Sequence, residues 1–121
     1  MVSEALLLNR HILLVEDEDL IAWALQNELQ RSGAHVIGPA ASVEDALALL
    51  ESEPVDGAIL DVSLGCEKVF SVAEALAARG IPFVFATGYS DLPPTWHHVP
   101  RFEKPVETAR VALALFGVLA V

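Results

Sequence analysis

The stretch HILLVEDEDL, His11 to Leu20, runs through four apolar residues into four consecutive carboxylates, Glu16, Asp17, Glu18 and Asp19. Apolar residues without period-two alternation read as a strand covered on both faces. The carboxylate block is the harder part to explain. Neighbouring charges of one sign cost on the order of 1 kcal/mol per pair in water, and more where water is sparse. A helix start accounts for some of it, because Asp and Glu in a first turn suit the positive end of the helix dipole. A cation nearby would account for the rest.

Outward from this stretch, short β-like runs alternate with helical ones. The runs are HILLVE, AHVIG, DGAILD, IPFVFAT and, weakly, HVPRFEKP. Four of them lack alternation, as strands covered on both faces would. Between and after them lie EDLIAWALQNELQRSG, SVEDALALLESE, CEKVFSVAEALAARG and VETARVALALF. Gly33 and Gly80 end the first and third helical stretches, and Ser42 with Asp45 reads as an N-cap. Strand–helix alternation with short connections predicts an α/β fold, a parallel sheet with helices on both faces. The segment Gly88 to Pro100 holds Pro93, Pro94 and Pro100, so a short or frayed fourth helix, or a loop, is expected there.

At 121 residues the chain is expected to form one domain, residues 1–121. The hydrophobic fraction of 54% and mean hydropathy of +0.49 call for a sheet buried under two layers. No apolar stretch reaches the roughly 18 residues of a membrane span, and the start MVSEALLLNR lacks the form of a secretory signal. A single cysteine, Cys66, fits a reducing, cytoplasmic setting. The net charge of −10 argues against a nucleic-acid partner and permits a cation site.

In parallel sheets, sites collect at the carboxyl ends of strands. Here those ends carry Glu16 and Asp17, then Asp61, then Thr87, with Lys104-Pro105 after the last run. Three carboxylates on one rim call for a cation, and hard oxygen donors suit Mg²⁺ or Mn²⁺. A lysine and a hydroxyl beside it could hold the oxygens of an incoming phosphoryl group. Asp61, where the chain leaves the sheet, is the candidate nucleophile, since a carboxylate can attack phosphorus to give an acyl phosphate.

This ordered set closely resembles the receiver domain of two-component response regulators. Glu16-Asp17 follow ILLV, Asp61 follows GAIL, Thr87 lies in FVFATGYS and Lys104-Pro105 in RFEKP. PFVFATGYS is further similar to the FATGUY sub-family, often paired with unusual histidine kinases. The resemblance spans about His11 to Phe116. It implies a flavodoxin-like (βα)5 fold with strand order 2-1-3-4-5. It implies that Asp61 accepts a phosphoryl group from a sensor histidine kinase or phosphotransfer protein, and that Asp17, Asp61 and the Ser63 main-chain carbonyl bind Mg²⁺. Glu16 would act largely through water, and Thr87 and Lys104 would hold the phosphoryl oxygens. Lys104-Pro105 would be a cis peptide. The chain would be no enzyme in the ordinary sense, catalysing only its own phosphorylation and dephosphorylation.

Departures from the family pattern matter. Gly65 stands where receivers commonly have proline, four residues past the acceptor, so a less rigid loop is expected. Arg101 stands where many carry an aromatic switch, and Phe102 follows it; Tyr89 and Phe102 are the candidate switch or gate. Trp23 lies off the apolar stripe Ile21, Ala22, Leu25 and Leu29 of the first helix. It reads as a kinase-docking anchor or as a side chain folded over a neighbouring loop. His97-His98 lack further metal ligands at suitable spacing. The uncharged VALALFGVLAV at the end is expected to seek cover, as a homodimer or docking face.

The leading expectation is therefore a stand-alone phosphoryl-accepting switch. Two alternatives differ in class. A metal-dependent phosphohydrolase of the haloacid type would need an acid two residues past the nucleophile, where Ser63 stands. A phosphorylation-independent pseudo-receiver, a pure binding module, usually lacks the acceptor or the lysine. Dinucleotide binding fails for want of a Gly-rich turn after the first strand.

Overall fold

The computed structural model describes residues 5–65, 67–87 and 92–117. Five parallel strands form the central sheet: β1 (His11–Val15), β2 (His35–Ala40), β3 (Gly57–Asp61), β4 (Phe83–Thr87) and β5 (Arg101–Glu103). They lie in the expected order β2-β1-β3-β4-β5. Four α-helices lying wholly among the described residues flank them: α1 (Asp19–Arg31), α2 (Val43–Ser52), α3 (Phe70–Ala78) and α4 (Thr108–Phe116).

The apolar runs of β1, β3 and β4 feed two cores, because successive side chains leave a strand on opposite faces. Leu13, Leu60 and Phe85 pack with Leu50 of α2 and Leu76 of α3. Ile12, Leu14, Ile59 and Val84 pack with Leu25 and Leu29 of α1 and Val111 and Leu115 of α4. Burying one such side chain stabilises the fold by about 1.5–3 kcal/mol, so both halves of the alternation are held. The Ser42 hydroxyl accepts from the Asp45 N–H at 3.1 Å, the expected cap of α2. No helix among the described residues is long and apolar enough to cross a membrane.

Several expectations need correction. β2 is an edge strand, half-exposed and not covered on both faces, with His35, Gly38 and Pro39 open to solvent. The third helix begins at Phe70, not at Cys66; before it, Ser63–Leu64 pairs antiparallel with Glu67–Lys68 in a two-residue ribbon. Gly65 turns that ribbon at φ +60°, a backbone that proline, fixed near −65°, cannot adopt. Leu7 is fully buried in the second core, although the segment before His11 carried no expectation of burial.

The proline-rich segment behaves as expected over residues 92–100. Its only helical element there is a single 3₁₀ turn, Pro94–Trp96. Trp96 anchors it, stacked on Phe70 at 6.5 Å and meeting Phe83 and Phe85 edge-on at 5.8 and 6.1 Å. Such aromatic pairs add about 0.5–1.5 kcal/mol beyond area burial, which is what this stretch has in place of a helix. Residues 88–91 lie outside the described residues.

Candidate functional site

The carboxyl ends of β1, β3 and β4 converge, as parallel strands in register must. Glu16 follows β1 directly and is tied down by its own backbone, donating to the Ala40 carbonyl at 2.9 Å. Its buried carboxylate accepts from the Glu18 N–H at 3.1 Å and lies 2.9 Å from Lys104 Nζ. Asp61 closes β3, buried; Oδ1 accepts from the Ser63 N–H at 3.3 Å and Oδ2 lies 3.2 Å from Lys104 Nζ. Asp17 is half-buried and accepts from the Gly65 N–H at 2.9 Å. Carboxylate oxygens of Glu16, Asp17 and Asp61 lie within 4.8 Å of one another.

Thr87 ends β4 and is buried; its carbonyl accepts from the Lys104 N–H at 3.2 Å. That bond sets the lysine at the rim, and Lys104-Pro105 is cis. The opening block thus divides by position. Glu16 and Asp17 face the rim, while Glu18 is the N-cap residue of α1 and Asp19 its first-turn acid.

The electrostatics follow from this crowding. Burial, and then the neighbouring Glu16 carboxylate, push the Asp61 carboxyl up to about 6 against the pull of Lys104. Burial works against the charged Lys104, yet its contacts with Glu16 and Asp61 outweigh it and hold the ammonium above its ordinary value. The Lys104 ammonium pairs with two of the three carboxylates, Glu16 and Asp61. The donors are all hard oxygens on an open rim, and such a set fits Mg²⁺ or Mn²⁺ completed by water.

Other sequence candidates fall into place or out of it. Ser63 opens the ribbon two residues past Asp61. Trp23 is 64% exposed on α1 and is not folded over a loop; Leu20 beside it is 82% exposed. Leu20, Ile21, Leu25, Pro105 and Val106 line a largely apolar cavity of about 440 Å³ between α1 and the turn after Lys104. Phe102 packs on the α1/α4 side of the sheet with the Arg110 guanidinium over its ring at 5.3 Å. Strand alternation turns Thr87 to the opposite side, since its neighbour Ala86 belongs to that same α1/α4 core. Tyr89 and Cys66 lie outside the described residues.

His97 and His98 serve the 92–100 segment. The His97 ring nitrogen lies 2.7 Å from the Leu92 carbonyl, and His98 stacks on Trp96. Within the described part of the C-terminal stretch, Val111, Ala112 and Leu115 are buried in the core and Leu113 is exposed. Two features of the site were missed in the sequence: the Gly65 amide on Asp17, and Lys68, whose Nζ donates to Ser63 Oγ at 3.1 Å. The glycine between the short runs SL and EK was the available signal for a hairpin.

The family model of the response regulator receiver domain matches residues 12–99. The chain belongs to this family. Among solved receiver structures, SdrG from Sphingomonas melonis Fr1 superposes with a TM-score of 0.79 at 44% identity, over 88% of this chain and 96% of that one. A BeF3-activated conformation of SdrG from Pseudomonas melonis Fr1 gives a TM-score of 0.74 at 46% identity, over 89% and 96%. The transcriptional regulatory protein AfsQ1 of Streptomyces coelicolor is 37% identical over 81 residues, 66% of this chain. This receiver spans only 36% of that relative's length.

Proposed function

We propose that residues 1–121 act as one phosphoryl-accepting switch of a two-component or phosphorelay system, with Asp61 as acceptor. The observation that carries this reading is the buried Asp61–Lys104 pair, at 3.2 Å, set among Glu16 and Asp17. An Asp61 oxygen attacks phosphorus as the P–N bond of a donor phosphohistidine breaks. The electron pair leaves with the imidazole nitrogen, which takes up a proton. Lys104 is already charged and within reach of the acceptor, so it can exchange its Asp61 contact for a phosphoryl oxygen. The Thr87 hydroxyl, buried at the end of β4, serves a second oxygen.

Asp17, Asp61 and the Ser63 main-chain carbonyl would hold Mg²⁺, with Glu16 acting through water; the ion would neutralise charge on the phosphoryl oxygens. PFVFATGYS supports placing the chain in the FATGUY sub-family. The exposed Trp23 and Leu20 beside the apolar cavity support docking of the histidine kinase or phosphotransfer protein on α1. The usual mark of a pseudo-receiver, a missing acceptor or lysine, is absent from this sequence, which favours the switch. Incubation with acetyl phosphate and Mg²⁺, read by intact mass, tests the reading: one phosphoryl group is expected on the wild type and none on Asp61→Asn.

A further inference from the structure

The ribbon after β3 places a second lysine on the side chain of Ser63, two residues past the acceptor. Ser63 and Lys68 are directly opposed across it, and opposed side chains of an antiparallel pair leave on the same face. Lys68 Nζ accordingly reaches Ser63 Oγ at 3.1 Å, and the Ser63 N–H is the group that holds Asp61 Oδ1. The ribbon is fixed in place. The Gly65 N–H bonds Asp17, Glu67 accepts from the Val43 N–H at 3.4 Å, and the Val69 N–H bonds the Val62 carbonyl at 3.2 Å. Alternation turns Glu67 away from Lys68. Among the described residues Lys68 makes no ion pair, and its partner is a neutral hydroxyl.

The setting makes that charge consequential. A dianionic phosphoryl donor must approach three carboxylates on a chain of net charge −10, while Lys104 is already engaged by Glu16 and Asp61. We propose that Lys68 is a second cation of the phosphoryl site, which captures the incoming donor by exchanging Ser63 Oγ for a phosphoryl oxygen. The inference rests on Asp61 being the acceptor. With acetyl phosphate, an ionised Asp61 oxygen forms the new O–P bond while the acetyl O–P bond breaks and its electron pair leaves with acetate. Lys68 neither gains nor loses a proton in that step.

The test compares wild type with Lys68→Ala, Lys68→Gln and Lys68→Arg. Initial phosphorylation rates are measured by intact mass against acetyl phosphate concentration, at low and high salt. Loss of the charge should lower the second-order rate about tenfold at low ionic strength, and the difference should shrink at high salt. Lys68→Gln keeps a hydrogen-bond donor for Ser63 and should be as slow as Lys68→Ala, whereas Lys68→Arg should restore the rate. Affinity for beryllium fluoride with Mg²⁺ should fall in the same order, with unfolding midpoints unchanged. Rescue by Gln but not Arg would reduce Lys68 to a strut of the ribbon and overturn the proposal. Wild-type rates in all three variants would overturn it too, while leaving Asp61 as acceptor intact. No phosphoryl group on the wild type, from acetyl phosphate or from a phosphorylated histidine kinase, would bring down both readings.

Discussion

Replacing Asp61 by Asn should make the apo protein more stable, an unusual result for a buried residue. The unfolded chain holds this carboxyl near 3.8 and the fold pushes it up to about 6. The native state therefore binds the proton more tightly than the unfolded state does, and stability falls as pH rises from about 4 to 6. Once the carboxylate is ionised in both states, the full cost is about 3 kcal/mol at 1.36 kcal/mol per tenfold shift. Asn removes that cost, which already includes the Lys104 contact at 3.2 Å, but sets an amide beside the ammonium, so a net gain of about 1–3 kcal/mol is expected at pH 7.5 in EDTA. The corresponding rise in Tm is on the order of 5–10 °C for a domain of this size. At pH 5 the advantage should drop to about half, because the wild-type carboxyl is then mostly protonated. Millimolar Mg²⁺ should raise the wild-type Tm by binding the native state and should narrow the gap. Urea and thermal unfolding of both proteins at the two pH values, with EDTA and with Mg²⁺, give the answer. An Asn variant no more stable than wild type, or a difference that ignores pH, would refute the reasoning.

Three further outcomes follow from the geometry. Lys104→Met leaves Glu16 and Asp61 facing each other without their cation, and should cost about 3 kcal/mol in EDTA, largely recovered in millimolar Mg²⁺ by thermal unfolding. Gly65→Ala should cost only about 1 kcal/mol, since the φ of +60° is strained for alanine but nothing lies near its Cβ. Gly65→Pro should cost about 3 kcal/mol, losing both the φ and the N–H that bonds Asp17; urea midpoints separate the two. Trp23→Ala should leave stability within about 0.5 kcal/mol and slow phosphotransfer from the cognate kinase while acetyl phosphate labelling is unchanged; equal loss with both donors would remove Trp23 from the docking surface.

The central strands were legible because burial on both faces leaves an uninterrupted apolar run, and the first polar residue after each run marks the rim. Glu16, Asp17 and Asp61 are placed together on that basis, and Lys104 joins them as the residue that follows the last, weaker run. AHVIG looks like its covered neighbours in sequence; only the sheet order shows that β2 is an edge with one partner. The ribbon was hidden for a different reason. EKVF reads as well as a helix start as it does as a strand end, and in the sequence Gly65 marks only the lack of a proline. Its left-handed turn and its amide bond to Asp17 are tertiary facts. Leu7 escaped notice since a short apolar lead-in has no periodicity to declare its burial.

The most direct test of the account is intact mass after incubation with acetyl phosphate and Mg²⁺, for wild type and Asp61→Asn side by side. A single phosphoryl group on the wild type, absent from the variant, is the predicted result. A phosphoryl group that persists on Asp61→Asn would contradict the central claim, and so would a wild type that acquires none from either acetyl phosphate or a phosphorylated histidine kinase.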